Sequence, residues 1–339
     1  MATSFDALPI IDVSALRHHS PSELPELSQR LHDVFTTTGF AYLANPPLSF
    51  SHDEVFSMAR EFFSLPPERK MALAKSSFRA ENHNVYRGYF PTQPMQDTDN
   101  LKEGFEIGPP TAPLTPATPS KILLSEPNVW PAGDFQSRRR LEQLYAELQT
   151  LASQLLSLLA LSLGKPAGFF DDYLVDSLST LRLLHYPVVS PAPRDDSDSG
   201  LGSSPDVPSD VRLSCTPHTD SGILTLLHQD PTGGLEVRNA AGRWIPAPYI
   251  PGSLVVNIGD LMATVSGGRF VATMHRVRAP AGPRDGIPRR LGRISVPFFF
   301  EPGEACVVSP VDGEGEAVVY GDHVRSKMQT WVEYQDLEG

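Results

Sequence analysis

The stretch that decides the fold runs Arg293-Ile294-Ser295-Val296-Pro297-Phe298-Phe299-Phe300, in which β-branched and aromatic residues follow one another closely. Such runs favour strands, and Gly and Pro mark the turns between them. After about residue 178 the chain repeats this pattern in further short runs: Thr180 to Tyr186, Ile223 to His228, Leu235 to Arg238, Leu254 to Ile258, Phe270 to Arg278 and Ala317 to Tyr320. Many short strands separated by turns predict a barrel or a two-sheet β fold.

The first 175 residues mix helices with short strands. The clearest predicted helix spans Ser137 to Leu163, because leucines recur there at the spacing of one buried face and Gly164 supplies a stop. A last helix is predicted over Asp322 to Gln335. We expect one large domain with a helical annex. In the N-terminal part the sequence also predicts strands at Leu8 to Val13 and Gly39 to Leu43 and helices at Ser22 to Phe35 and His52 to Phe63.

Composition narrows the class of protein. The 339 residues carry 28 Lys and Arg against 40 Asp and Glu, a formal net charge of −12. Phosphate binding needs clustered cations, so this balance argues against nucleic-acid and anionic-membrane partners. Two cysteines cannot build a disulfide framework, which predicts a reducing compartment. The absence of a basic secretory leader and of a long apolar run predicts a cytoplasmic protein without a membrane span, and no obligate protein partner is indicated.

The sharpest chemical signal is His218-Thr219-Asp220. Residues i and i+2 of a strand point to the same face, so His218 and Asp220 can reach one metal ion together. His275, 57 residues beyond His218, is the candidate third ligand. Two imidazoles and one carboxylate leave the opposite coordination positions open, as in non-haem Fe(II) oxygenases. For the H-x-D pattern alone, a loop histidine beside a capping aspartate is the alternative interpretation.

Arg293 and Ser295 also share one strand face, 18 residues beyond His275. A guanidinium with a neighbouring hydroxyl is a good receptor for a carboxylate in a partly buried site. Among so many apolar neighbours an inward Arg needs an anionic partner, and a ligand can supply one. A structural ion pair near the strand end is the alternative.

The sequence resembles the Fe(II)- and 2-oxoglutarate-dependent dioxygenases of the isopenicillin N synthase-like family, in its microbial and fungal branch. The resemblance covers nearly the whole chain. It rests on ordered motifs: Gly39-Phe40, Tyr42-Leu43, Glu61-Phe62-Phe63, Leu65-Pro66, Arg87-Gly88-Tyr89, Lys102-Glu103, Asn128-Val129-Trp130-Pro131, Leu181-Arg182-Leu183-Leu184-His185-Tyr186-Pro187, His218-Thr219-Asp220, Gly234-Leu235-Glu236-Val237, Asn257-Ile258-Gly259-Asp260, Met274-His275-Arg276-Val277 and Arg293-Ile294-Ser295.

This resemblance implies an α+β fold that is mainly β. Its core would be a double-stranded β-helix, or jelly roll, over residues 176–321. A region of helices and strands over residues 1–175 would pack on that core without forming an independent domain, and a C-terminal helix would span residues 322–339.

The resemblance also implies the cofactors and the residues that hold them. Fe(II) would be bound by the residues that match the family's ligands: His218, Asp220 and His275. The co-substrate 2-oxoglutarate would be held at its distal carboxylate by Arg293 and Ser295, with assistance from Tyr186. O2 would be the second co-substrate, and the products of 2-oxoglutarate would be succinate and CO2.

The implied reaction hydroxylates or desaturates a small organic molecule, with a secondary metabolite as the expected substrate. Ser221 stands where fungal thymine hydroxylases have an aromatic residue, which argues against a pyrimidine base. The loops Pro109 to Pro119 and Ser190 to Asp210 are expected to form a lid, with solvated linkers as the alternative. Candidate substrate contacts come from inward strand faces, from the aromatic segment 84–90 and from the residue after H-x-D: Arg182, Phe299, Tyr86, Tyr89, Phe90 and Ser221.

Three other functions stay open at this point. An iron oxidase of the isopenicillin N synthase type would use Arg293 and Ser295 to grip its substrate's carboxylate, without 2-oxoglutarate. A hydroxylase of nucleobases or small heterocycles is the second alternative. A catalytically silent ligand-binding protein of the same fold is the third, and the intact set of His218, Asp220, His275 and Arg293 argues against it.

Overall fold

The computed structural model describes residues 4–18, 22–92, 101–111, 122–188, 213–280 and 292–328. The segment Ser190 to Asp210, most of Pro109 to Pro119 and the predicted helix beyond Met328 lie outside the described residues. The expectations that concern those segments therefore stay predictions.

Two facing sheets form the centre of the fold. The strands are β1 (Ile10–Asp12), β2 (Phe40–Ala44), β3 (Gly88–Phe90), β4 (Glu103–Ile107), β5 (Thr180–Tyr186), β6 (Leu213–His218), β7 (Leu224–Gln229), β8 (Leu235–Arg238), β9 (Trp244–Pro246), β10 (Ser253–Ile258), β11 (His275–Arg278), β12 (Arg293–Phe300), β13 (Val307–Val308) and β14 (Val318–Val319). The larger sheet has the order β1-β2-β10-β7-β12-β5-β4-β3 and the smaller one β6-β11-β8-β9, while β13 and β14 pair with each other.

The alternation of side chains along β12 separates core from cavity. Its even-numbered residues belong to the hydrophobic core: Ile294, Val296, Phe298 and Phe300. Its odd-numbered residues, at 293, 295, 297 and 299, point the other way and line a cavity. The antiparallel partner β5 repeats the alternation, because Arg293 lies opposite Tyr186 and Ser295 opposite Leu184.

The two sheets pack through a second apolar cluster. The larger sheet contributes Phe40, Tyr42, Leu184, Tyr186 and Val255, and the smaller sheet contributes Leu235, Val237 and Val277. The arrangement is the predicted jelly roll of two packed sheets, and the described strands do not close into a barrel. The predicted α+β fold class is confirmed.

The three longest helices pack against the larger sheet. The helices are α1 (Ala15–His18), α2 (Leu24–Thr37), α3 (His52–Phe63), α4 (Pro67–Met71), α5 (Arg138–Ser162), α6 (Asp260–Val265) and α7 (Tyr320–Met328), with one 3₁₀ turn at Asp171–Leu174. Phe62 of α3 stacks on Phe105 of β4 with ring centroids 4.2 Å apart. Residues of α2, α3 and α5 share one hydrophobic core with β12. The division into regions 1–175, 176–321 and 322–339 stays a prediction.

The longest helix, α5, matches its prediction to within one residue at each end. Its leucine stripe is buried, and Gly164 beyond it has φ +75°, a conformation that glycine adopts without a Cβ penalty. Among the described residues this helix alone has the length and composition of a membrane span. However, 56% of its most apolar window is buried inside the fold, as in a core helix.

Three predicted strands are shorter than expected. In the run Leu8 to Val13 the strand covers Ile10–Asp12. Only His275–Arg278 of the run Phe270 to Arg278 is a strand, and upstream of it the backbone N–H of Val271 donates to the Phe35 carbonyl of α2 instead of to a neighbouring strand. The Thr273 hydroxyl donates to the Thr38 carbonyl just after α2. In the run Ala317 to Tyr320 the strand covers Val318–Val319, and Tyr320 already begins α7.

Candidate metal centre and cavity

The smaller sheet brings the three predicted ligands together. His218 ends β6, Asp220 follows it, and His275 begins β11 directly opposite His218. One ligand atom from each residue lies within 4.8 Å of the other two. Nε2 of His218 is 3.8 Å and Nε2 of His275 is 3.6 Å from Oδ1 of Asp220. The spacing suits three ligands around a single ion, and all three residues line the cavity described below.

Backbone carbonyls fix the orientation of both imidazoles. Nδ1 of His218 lies 2.8 Å from the carbonyl oxygen of Thr216, and Nδ1 of His275 lies 3.2 Å from that of Thr273. A carbonyl only accepts, so each Nδ1 carries a proton and Nε2 is left to bind a metal. Burial lowers the pKa of His218, but the Cys215 sulfur beside it raises this pKa to about 9, so a metal ion would displace a proton from this ring.

Asp220 is held by two side chains from the larger sheet. Its Oδ2 accepts a hydrogen bond from Thr225 Oγ1 at 2.5 Å and from Asn257 Nδ2 at 2.8 Å, which leaves Oδ1 toward the histidines. Burial acts to raise the pKa of Asp220, but His275, His218 and these hydrogen bonds hold it below its usual 3.8. Burial lowers the pKa of His275 to about 4. Near neutral pH the carboxylate is therefore ionised and the His275 ring neutral, the forms that bind metal.

Arg293 is a buried cation at the other end of the cavity. It is 1% exposed, its Nε donates to the Gly233 carbonyl at 2.8 Å, and its Nη1 donates to Ser295 Oγ at 3.0 Å. The guanidinium carbon lies 4.8 Å from the centre of the Tyr186 ring. Within the described part of the chain no carboxylate pairs with Arg293. Since an uncompensated buried charge is costly, the site fits an anionic ligand, and the structural ion-pair alternative is not observed there.

A cavity of about 550 Å³ joins the metal ligands to Arg293. All six residues predicted to hold iron and 2-oxoglutarate contribute to its lining, and apolar side chains complete this end: Leu184, Leu227, Leu235 and Val277. Two imidazoles and one carboxylate are ligands that fit Fe(II). The cavity that runs from these ligands to the buried guanidinium of Arg293 fits a dicarboxylate with an apolar middle.

Arg182 and Phe299 form one wall of the same cavity. The guanidinium carbon of Arg182 lies 5.0 Å from the centre of the Phe299 ring. Arg182 also pairs with Glu106 of β4, whose other oxygen lies 2.7 Å from Lys75 Nζ. Arg182 is therefore ion-paired and also lines the cavity. Its contact with substrate stays a prediction.

The other four substrate candidates divide into two pairs. Tyr86 and Ser221 line the cavity. Tyr89 and Phe90 are not among its lining residues, and both are buried in β3. The Tyr89 hydroxyl donates to Glu103 at 2.6 Å on the helix side, and the Phe90 ring packs between the sheets.

Several cavity residues were not foreseen from the sequence. Thr225 and Asn257 interrupt apolar strands at inward positions, and that pattern could have identified them as polar residues with an internal task. Lys75 and Glu106 lie in segments that sequence patterns did not assign to the site. Glu301 directly follows β12 and lines the cavity opposite the smaller sheet.

Comparison with known proteins agrees with this geometry. Residues 179–302 match the 2OG-Fe(II) oxygenase superfamily, and residues 8–133 match the N-terminal region described as non-haem dioxygenase in morphine synthesis. The chain is 31% identical over 320 residues to a 2-oxoglutarate-Fe(II) type oxidoreductase of Aspergillus fumigatus, covering 91% of this chain and 87% of that protein. It is also 31% identical to the homoarginine-6-hydroxylase 2-ODD-233 of Oryza sativa, covering 97% and 99% of the two chains.

Among solved structures, the chain resembles a full-length Neurospora crassa protein in complex with alpha-KG. The TM-score is 0.75 at 27% identity, with 96% of this chain and 97% of that one covered. This chain therefore belongs to the 2OG-Fe(II) oxygenase superfamily. It is an iron-dependent dioxygenase that uses 2-oxoglutarate and O2 as co-substrates.

Proposed function

We propose that the chain hydroxylates or desaturates a small polar organic molecule of secondary metabolism. In hydroxylation, substrate, 2-oxoglutarate and O2 would give the alcohol, succinate and CO2. In desaturation, the same co-substrates would give an alkene, succinate, CO2 and water. Iron, when bound, supplies the chemistry that activates O2 and breaks the substrate C–H bond.

The observation that carries the proposal is the buried, carboxylate-free Arg293 in one cavity with the three metal ligands. His218, Asp220 and His275 would hold the iron. Arg293 and Ser295 would hold the distal carboxylate of 2-oxoglutarate and so aim its keto acid end at the metal. This assignment favours 2-oxoglutarate dependence over the oxidase alternative.

The protein's own contribution is position and exclusion of water. The Nδ1 hydrogen bonds of both histidines and the two donors to Asp220 prevent the ligands from turning. The wall of Arg182 and Phe299 offers a cation and an aromatic face to the substrate beside the metal ligands. Prearranged groups of this kind lower the reorganisation that the reaction requires.

Relatives support a small polar substrate. One is a homoarginine-6-hydroxylase, and the similar Neurospora crassa protein has also been solved with alpha-KG and thymine. Relatives from Monascus ruber and Monascus purpureus are 2-oxoglutarate-dependent dioxygenases called citB and mpl2, which agrees with secondary metabolism in fungi. Both cysteines are free, which supports the proposed cytoplasmic location.

The test is release of labelled CO2 from 2-oxoglutarate by the iron-loaded protein, with a panel of compounds that begins with homoarginine and thymine. We expect stimulation by at least one polar compound, with succinate formed in equal amount. His218→Ala should abolish the release, and the exposed His83→Ala should leave it unchanged. Iron-loaded, folded protein that never decarboxylates 2-oxoglutarate would contradict the proposal.

A further inference from the structure

A thiol and a primary amine meet at the cavity wall. Cys215 lies on β6 of the smaller sheet, and Lys102 directly precedes β4 of the larger sheet. Nζ of Lys102 lies 3.6 Å from Sγ of Cys215, although the two residues are 113 positions apart in the chain. Both residues are partly exposed, and both line the cavity. The fold thus brings two nucleophilic side chains from different sheets into contact at an accessible point.

This point lies beside the metal centre. Sγ of Cys215 is 3.7 Å from Nδ1 of His218, which stands three residues further along β6. The cavity of about 550 Å³ that contains His218 also contains the sulfur and the amine. A small oxidant such as hydrogen peroxide can therefore reach the sulfur by the same space that admits O2 to the metal ligands.

The second cysteine has different surroundings. Cys306 packs against the main hydrophobic core and is not among the residues that line the cavity. Burial raises the pKa of the Cys306 thiol to about 11, so little of the reactive thiolate forms near neutral pH. Among the described residues, the hydrogen-bond contact between a lysine amine and a cysteine sulfur occurs at Cys215 alone. Cys306 therefore provides an internal reference for any oxidation of Cys215.

We infer that Cys215 and Lys102 form a peroxide-sensitive modification site, in which the oxidised sulfur of Cys215 becomes covalently bonded to Nζ of Lys102. The bond would join the larger sheet to the smaller one at the cavity wall, three residues before a metal ligand. This site lies beyond the oxygenase reaction itself, since its oxidant is hydrogen peroxide and its product is a modified protein.

The chemistry takes two steps. In the first, the sulfur attacks hydrogen peroxide: an S–O bond forms, the O–O bond breaks, and the thiol proton leaves with the other oxygen as water. Sulfur is oxidised by two electrons and peroxide is reduced. In the second step the Lys102 amine, after its ammonium proton has passed to solvent, attacks the sulfenic acid sulfur. An S–N bond forms, the S–O bond breaks, and the hydroxyl leaves with one amine proton as a second water.

Proximity favours this second step over further oxidation. A sulfenic acid condenses with a nitrogen nucleophile when one is at hand, and otherwise proceeds to the sulfinic acid under excess peroxide. An amine already in contact with the sulfur reacts at a high effective concentration. The S–N bond is open to reduction by an added thiol, which would restore the free cysteine and the free amine.

Peptide mapping by mass spectrometry tests the site. The full chain is loaded with Zn(II), which takes the same kinds of ligand as iron but has no redox chemistry, and is then treated with hydrogen peroxide. We expect a peptide containing Lys102 joined to one containing Cys215, lighter by two hydrogen atoms than the sum of the two. Dithiothreitol should separate them again.

Three variants sharpen the test. Lys102→Arg keeps the positive charge but lacks the amine, so Cys215 should stop at its sulfenic and sulfinic acids. Cys215→Ser should give no linked peptide, and Cys306→Ser should give as much as wild type. The inference would be overturned by wild type without the link, by a link that survives Lys102→Arg, or by equal oxidation of Cys306. A link that keeps an oxygen atom between sulfur and nitrogen would contradict the second step.

Discussion

The two ends of the cavity differ in how completely their polar atoms are satisfied. At the metal end both histidines have fixed Nδ1 partners, and Asp220 accepts two hydrogen bonds that orient it. At the other end the buried guanidinium of Arg293 has no carboxylate partner among the described residues. The chemistry of the metal end is shared by a large family and can be preorganised by the fold, whereas binding of an anionic ligand uses a group whose charge the ligand itself completes.

A second buried carboxylate sharpens this contrast. Glu103 lies on the helix side of β4 and accepts from Lys70 Nζ at 2.6 Å, from the Tyr89 hydroxyl at 2.6 Å and from His185 at 2.8 Å. Burial acts to raise the pKa of Glu103, but these partners lower it to about 2. The fold thus fully satisfies the structural carboxylate of Glu103, whereas Arg293 in the same sheet has no carboxylate partner among the described residues.

Removal of a metal ligand should have the largest effect. His275→Ala should weaken iron binding by more than the roughly 10–100-fold that loss of an outer partner costs, because one of three ligand atoms disappears. The iron dissociation constant is measured by anaerobic titration, with His83→Ala as the control. Wild-type iron affinity in His275→Ala would show that the ligand set is assigned wrongly.

Loss of the satisfied carboxylate should cost stability. A carboxyl pKa lowered from 4.5 to about 2 stabilises the fold above pH 4.5, and this contribution is lost as the pH falls toward 2. Glu103→Gln should therefore lower the free energy of unfolding near pH 7 by about 3 kcal/mol, with a smaller difference near pH 3. Urea unfolding measures both values, and the exposed Glu81→Gln is the control. A difference that does not depend on pH would contradict the ionic role of Glu103.

Loss of the buried cavity carboxylate Glu301 should have the opposite sign. The pKa of Glu301 is raised to about 7 by burial, so its destabilising effect grows as the pH rises from 4.5 through 7. We expect Glu301→Gln to raise the free energy of unfolding by about 2 kcal/mol near pH 8 and by almost nothing near pH 4. Arg87, Arg182, Glu106 and Tyr320 are the ionisable neighbours of this group, and all remain in the variant. A less stable variant near pH 8 would mean that the carboxylate is satisfied in the folded protein.

The smallest effect is expected from the groups that orient Asp220. Thr225→Val removes one donor but keeps the volume, and it should weaken iron binding by about tenfold. Thr264→Val, on the exposed side of α6, provides a matched control. An unchanged iron dissociation constant in Thr225→Val would show that Asn257 alone is sufficient to hold the carboxylate.

The sequence predicted those helices and strands whose hydrophobic pattern is contained within a single element. Period-two alternation identified β5 and β12, and leucine spacing identified α5, because each pattern lies within one element. The short strands β3 and β4 were not predicted, since Gly88–Phe90 and Glu103–Ile107 become strands only by pairing with each other and with β5. For that reason the inward position of Glu106 and its pairing with Arg182 could not be foreseen.

The predicted site shows the same limit. The predicted residues lie in short strand motifs whose alternation places them on one face. The structure brings them into one cavity: His218, Asp220, His275, Arg293 and Ser295. Glu301 stands in no such motif, and only the folded structure places it in the cavity lining, with Tyr320 and Arg182 as neighbours. Tertiary contacts therefore decide the position of such a residue.

The most direct test of the account is a titration of 2-oxoglutarate into the anaerobic Fe(II) protein, followed by the visible charge-transfer band of a keto acid bound to Fe(II). We expect a band in wild type and in Arg243→Leu, which removes an exposed arginine. In Arg293→Leu we expect a dissociation constant for 2-oxoglutarate about 100-fold higher, because the distal carboxylate loses its buried cation. An iron-loaded protein that shows no band, or an Arg293→Leu variant that binds 2-oxoglutarate as wild type does, would contradict it.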